Sequence, residues 1–369
     1  MSESVEILFK LLRIALGSEE KCDLPSGINW KEVVDLSFDQ GVAAIAVDGL
    51  QGSFGSTGSP TEPCAESLAL ELDSPELEDL KYEWFGEVFA READYHKYVE
   101  DICSLAKTYS ETGIEMMVLK GYGLSLNYPI PAHRPTGDID VYLSDWRRGD
   151  EVIRKMGIAI DYSHHHHSVF NWNGQMVENH YDIENRYADK DGKLLDDLLK
   201  ELAGKGRKEV EVDGVKLYFP TPAFNGIFLI QHSASHFAGE HITLRHLLDW
   251  ALFVDKEWKE IDWPFVVDWI TRLGLRRFFF CMNALSIDCL GILAEKFPSI
   301  ERDAALEDRV LNDILYPSFN EKGSGFIFKL RRLSANMWKR NLVNPEPFLP
   351  RMVRLALSHL IGPGIHLKK

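Results

Sequence analysis

Apolar positions follow a helical spacing at the front of the chain, alternate in the middle, and return to helical spacing toward the end. Residues 3 to 16 place Leu8, Leu11, Leu12 and Ala15 on one stripe, and Trp30 to Leu50 continues that spacing, which predicts helices. Gly52 to Pro63, rich in Gly, Ser, Thr and Pro, reads as a loop, and a long helical region from about Pro75 to Thr112 follows it. Ile114 to Leu119 is a short buried strand by pattern, broken by Lys120-Gly121-Tyr122-Gly123 before a short helix through Ser125 to Tyr128. After Pro129 and Pro131 the chain returns through Arg134-Pro135-Thr136 to a strand, Gly137 to Leu143. Ser144 fits a helix N-cap there, and Asp145 to Met156 is a helix closed by Gly157.

Gln175 to Ile183 alternates again, and Glu209 to Val212 with Val215 to Phe219 flank Asp213-Gly214, a hairpin signal. Beyond Pro220 and Pro222 the pattern is helical, with Gly204, Gly274 and Gly291 as expected breaks and Phe265, Trp269 and Leu273 as a core stripe. The expected division is a helical region over 1–95, a sheet-bearing core over 96–220 and a helical domain over 221–369.

Composition narrows the class. With 369 residues, 45% of them hydrophobic, the chain has material for two or three modules. The richest apolar run, Phe278 to Leu293, is interrupted by Asn283 and Asp288, so no membrane insertion is expected. Glu3 and Glu6 argue against a signal peptide. The five cysteines, with no Cys-x-x-Cys, suggest reduced thiols, a cytoplasmic setting and no structural zinc. The formal net charge of −16 is uneven: from Phe326 onward nine Lys or Arg face one acid, Glu346. A basic tail of this kind docks on its own acidic body or meets an anionic partner, while the acidic whole argues against general nucleic-acid binding.

The candidate chemistry centres on Asp138 and Asp140. Alternation puts both carboxylates on one strand face, roughly 6.5 to 7 Å apart at the backbone, with Ile139 and Val141 turned to a core. Two such charges repel by roughly 3 kcal/mol at about 5 Å and an effective dielectric of about 20, a cost that a divalent cation offsets. Magnesium takes oxygen ligands and pairs one or two carboxylates with substrate phosphates. Glycines at a strand-to-helix junction, as at Gly121, let backbone amides approach phosphate oxygens. The alternative is a Gly-Asp turn followed by a solvated strand end.

Leu119-Lys120-Gly121, Tyr128-Pro129, Arg134-Pro135 with Gly137-Asp138-Ile139-Asp140, Val177-Glu178-Asn179-His180 and Arg245-His246-Leu247-Leu248-Asp249-Trp250 carry a resemblance. In these residues the chain resembles the bacterial uncharacterised nucleotidyltransferase family, within the DNA polymerase beta-type nucleotidyltransferase superfamily, over roughly residues 114 to 290. The resemblance implies an α+β fold, a mixed sheet flanked by helical regions, whose three carboxylates bind two Mg2+ ions, or Mn2+. A nucleoside triphosphate such as ATP would be the donor, an unknown small-molecule or macromolecular hydroxyl the acceptor, and pyrophosphate the leaving group.

Asp138 and Asp140 match the first two carboxylate positions. Strand parity sets Glu178, His180 and Asp182 on one face, and Glu178 matches the family pattern for the third position, with Asp182 as its rival. The superfamily's glycine-serine pair reads Gly121-Tyr122 here, with Lys120 in front and Ser125 a turn later. Lys120, Gly121, Ser125, Arg134 and Gly137 are therefore the expected nucleotide-binding residues, Arg134 as a bidentate clamp.

Two histidine groups stand apart. His164 to His167 is an internal run in which His165 and His167 would share a face on a strand. His232 and His236, four apart on a helix and followed by His241, His246 and Asp249, have the spacing of a zinc pair but lack the glutamate of a His-Glu-x-x-His protease. The leading expectation is nucleotidyl transfer. A module that binds nucleotide without turnover and a metal hydrolase built on His232, His236 and Asp249 are the alternatives.

Overall fold

The computed structural model describes residues 2–19, 24–25, 27–52, 75–164, 166–186, 190–299, 301–317, 331–332 and 334–343. The helices are α1 (Glu3–Ala15), α2 (Trp30–Asp39), α3 (Ala43–Gly52), α4 (Pro75–Ser110), α5 (Tyr122–Ser125), α6 (Trp146–Lys155), α7 (Gly192–Lys205), α8 (Pro222–Gly239), α9 (Leu244–Glu257), α10 (Trp263–Arg272), α11 (Arg276–Leu290), α12 (Ala304–Leu315) and α13 (Met337–Val343). The strands are β1 (Met116–Val118), β2 (Ile139–Leu143), β3 (Ile160–Asp161), β4 (His167–Trp172), β5 (Gln175–His180), β6 (Lys208–Val212) and β7 (Val215–Phe219). Among the described residues they form one seven-stranded mixed sheet in the order β3-β4-β5-β2-β1-β7-β6, and the protein is α+β.

Local chemistry explains most boundaries. Asp145, one residue after the expected Ser144, caps α6 by accepting from the Arg148 amide at 3.1 Å. Ser144 instead accepts from the Glu115 amide and ties β1 to the end of β2. The apolar stretch from Trp30 to Leu50 is two helices, broken where Gly41 takes φ +66°. Gly204 lies inside α7, and that helix ends at Gly206 instead. Asp213 and Gly214, both at positive φ, make the expected hairpin between β6 and β7. The expected loop over Gly52 to Pro63 lies, beyond Gly52, outside the described residues.

The sheet's two faces have different neighbours. Ile139, Val141, Leu143 and Val177 pack with Tyr98, Ile102 and Tyr109 of α4 and Ile153 of α6. On the other side one large core joins Leu8, Leu11 and Leu12 of α1 to Phe228 and Phe237 of α8, Trp250 of α9 and Phe278 of α11. Helices from before and after the sheet thus share a single core, and α4 runs unbroken across residue 95. Among the described residues no helix is long and apolar enough to cross a membrane. The described part of the basic tail docks on the protein's own body. Arg332 donates to the Gly239 carbonyl at 2.7 Å and pairs with Glu240, and buried Lys339 pairs with buried Asp313.

The loop entering β2 is held by a charged contact between helices. His133 lies between Asp48 of α3 (Nδ1 to Oδ2, 2.7 Å) and Glu92 of α4 (Nε2 to Oε1, 3.2 Å). Burial disfavours its charged form, but the two carboxylates outweigh burial and raise its pKa above the ordinary histidine value. A raised folded-state pKa gives stability that is complete below the unfolded value, about 6.5, and is lost as pH rises through the folded value. Urea unfolding of wild type and His133→Gln is expected to differ most below about pH 6.5 and to converge as pH rises above that value.

Candidate metal centre

The carboxylates meet because β2 and β5 run parallel in one register. Asp140 sits directly opposite Glu178, and Tyr142 opposite His180, so alternation brings Asp140, Glu178 and His180 to one face. Asp138 immediately precedes β2, where its backbone carbonyl accepts from the Tyr98 hydroxyl at 3.3 Å. These residues lie in a cleft of about 1000 Å³, also lined by Lys120, Gly121 and the facing helices α8 and α9.

Charge in this cleft is dense and only partly offset. Lys120 Nζ lies 2.9 Å from Asp140 Oδ1, and His180 Nε2–H donates to the same oxygen at 3.0 Å. Burial works against ionisation of Asp140, yet Lys120 and His180 outweigh it and hold the carboxyl well below the usual range. Burial likewise disfavours charge on His180, but Asp140 and Glu178 raise it to about 9, so it is an imidazolium at neutral pH. Glu178 is lowered, burial being outweighed by the His180 hydrogen bond. Asp138 goes the other way: burial, then the charges of Glu178 and Asp140, push it up.

Ionisation of Asp138 is thus opposed even with Lys120 and His180 beside the cluster, which is the condition a divalent cation relieves. One oxygen or nitrogen each from Asp140, Glu178 and His180 lie within 4.8 Å of one another. Asp140 and Glu178 offer oxygens and His180 a nitrogen, a donor set that could hold a metal ion.

The other expected residues divide. Gly137 lines the cleft, and its carbonyl accepts from Gln175 at 2.6 Å. Gly121 also lines it, with φ +51° and ψ −106°, and any Cβ there would run into the hydroxyl of buried Tyr98. Gly121→Ala is expected to lower unfolding stability by about 2 kcal/mol in urea, and Tyr98→Phe in that background to recover only part, because the backbone strain remains.

Ser125 is not among the lining residues. It is buried, bonded to the Tyr95 hydroxyl at 2.9 Å and the Tyr122 carbonyl at 2.7 Å. Arg134 is bidentate, as expected of a clamp, but toward Asp249: Nε to Oδ1 at 2.8 Å and Nη2 to Oδ2 at 2.9 Å. Asp182, the rival third carboxylate, follows the end of β5 and pairs with Lys200 at 2.5 Å, away from the cleft lining. Sequence reasoning missed Tyr98, whose only sequence signal is its place in the apolar face of α4.

His232 and His236 line the cleft with ring centres 4.5 Å apart. Burial, then Lys120, lowers both, so they are neutral imidazoles. Asp249, the carboxylate needed for a hydrolytic site there, is taken by Arg134 and by the Tyr128 hydroxyl at 2.8 Å. Among the described residues no metal-binding group includes His232 or His236. Of the histidine run, His166 and His167 line the cleft, and His165 is outside the described residues.

The cleft also draws on the chain's far end, since Arg340 and Val343 of α13 line it. A family model described as uncharacterised nucleotidyltransferase matches residues 26–291, which include Asp138, Asp140, Glu178, Asp182 and Asp249. Comparisons with curated proteins and with solved structures return no match.

Proposed function

Because the chain belongs to the uncharacterised nucleotidyltransferase family, we propose that it moves a nucleoside monophosphate from a nucleoside triphosphate to an acceptor hydroxyl. The observation that carries this reading is the facing pair Asp140 and Glu178 on parallel strands at the cleft, with Asp138 beside them. These three carboxylates would hold magnesium. When bound, the metal supplies charge stabilisation for the attacking and leaving oxygens of an in-line displacement.

The protein's own groups do the positioning. The acceptor oxygen attacks the α-phosphorus, its proton passes to a cleft carboxylate, and the bond to pyrophosphate breaks. Lys120, already beside Asp140, places an ammonium where phosphate oxygens gather, and Gly121 and Gly137 leave room for backbone approach. Arg134 serves by fixing the lead-in to β2 through Asp249 rather than by gripping phosphate.

A second reading, nucleotide binding without turnover, is favoured by one observation: Tyr122 stands where the superfamily has its serine and is buried, and Ser125 is spent on Tyr95. Calorimetric titration of the four nucleoside triphosphates, with and without magnesium, separates the cases. Binding is expected to need magnesium and to vanish in Asp138→Ala/Asp140→Ala. Release of pyrophosphate distinguishes transfer from binding alone, and failure to bind any triphosphate overturns both readings.

A further inference from the structure

β4 and its lead-in bring two further histidines up to His180 of the carboxylate cluster. His167 faces His180 across the antiparallel pair, and His166, just ahead of β4, is anchored because its carbonyl accepts from the amides of Tyr181 and Asp182 at 3.1 and 3.0 Å. Ring centres lie 4.3 Å apart for His166 and His167, 5.2 Å for His167 and His180, and 5.6 Å for His166 and His180. One nitrogen from each of the three rings falls within 4.8 Å of the others.

Buried imidazoles that serve only packing have their nitrogens hydrogen-bonded. Here His166 Nδ1, both ring nitrogens of His167 and His180 Nδ1 are buried without a hydrogen-bond partner, although His167 Nε2 lies 3.5 Å from Glu178 Oε1. His180 is engaged through Nε2 alone, which donates to Asp140, and its Nδ1, without a partner, becomes a donor when a metal displaces its proton. A metal-bound histidine ordinarily donates its second ring N–H to a carboxylate, and Asp140 already stands in that place.

We propose that His166, His167 and His180 form a nitrogen-donor site for a divalent transition cation of the zinc, cobalt and nickel class, adjoining the carboxylate centre and distinct from it in ligand type. Imidazole selects such ions, whereas carboxylate oxygens take magnesium, so the two neighbouring centres sort cations by donor. Metal–nitrogen distances of about 2.0–2.1 Å require the three nitrogens to close in from their present spacing. The inference does not depend on nucleotidyl transfer.

The test uses untagged full-length protein in excess magnesium, titrated with Co2+ and followed by equilibrium dialysis and visible absorption. One tightly held cobalt is expected despite the magnesium. His166→Ala/His167→Ala is expected to weaken it at least about tenfold, and His232→Ala/His236→Ala to leave it unchanged. Should the alanine variant fail to fold, His166→Gln/His167→Gln carries the same comparison with side-chain volume kept. Cobalt bound equally by the variants, or displaced entirely by magnesium, overturns the proposal.

Discussion

Asp138→Asn is expected to cut magnesium-dependent pyrophosphate release by about three orders of magnitude while leaving the metal-free protein at least as stable as wild type. The first effect follows from removing one charged ligand of the proposed metal site, since transition-state stabilisation of about 4 kcal/mol corresponds to about a thousandfold in rate. The second follows from the site's electrostatics. Burial, Glu178 and Asp140 all push the Asp138 carboxyl up, so its ionised form opposes folding at neutral pH, and the amide removes that opposition. Asp140→Asn is expected to lose as much release without the gain, because Lys120 and His180 hold that carboxylate in its charged form. Urea unfolding beside a coupled pyrophosphate assay reads both quantities. An Asp138 variant that turns over normally would remove it from the site.

Asp249→Ala is expected to cost about 3–5 kcal/mol of unfolding stability, the largest effect of any single change considered. Arg134 is 7% exposed, and its guanidinium donates twice to Asp249 and once to the Pro135 carbonyl, with Tyr128 donating to the same carboxylate. Truncating the acid strands a buried cation and an unpaired hydroxyl, whose desolvation is then no longer offset. Arg134→Met/Asp249→Leu removes both charges together and is expected to recover most of the loss, as read by urea denaturation. If the single and double variants are equally unstable, the interaction is not the source of the effect.

Part of the carboxylate face is legible because alternation is a property of the strand itself: parity puts Glu178 and His180 on one face of β5, while the choice of Glu178 rests on the family pattern and its meeting with Asp140 on the β2–β5 register. Parity failed at Asp182 because β5 ends at His180, after which the chain turns toward Lys200. Ser125 and Arg134 were read by type, as phosphate binders, but what they touch depends on distant chain. The tyrosine bound to Ser125 comes from α4, and the acid bound to Arg134 is 115 residues away. The pairing of His167 with His180 was equally hidden, since it needs the register of β4, a strand that no clear apolar alternation announces. Membership of one core by α1 and α13 had no local signal at all, because each stripe reads the same whatever covers it.

The placement of α13 bears on how such a protein diversifies. Its Arg340 and Val343 form part of the cleft rim, yet they lie beyond the segment that matches the family, while the carboxylates lie within it. On the proposed function, the carboxylates and one part of the cleft lining are thereby written in separable stretches of the gene. Drift or exchange in the later stretch would then alter that side of the cleft and leave the carboxylates untouched.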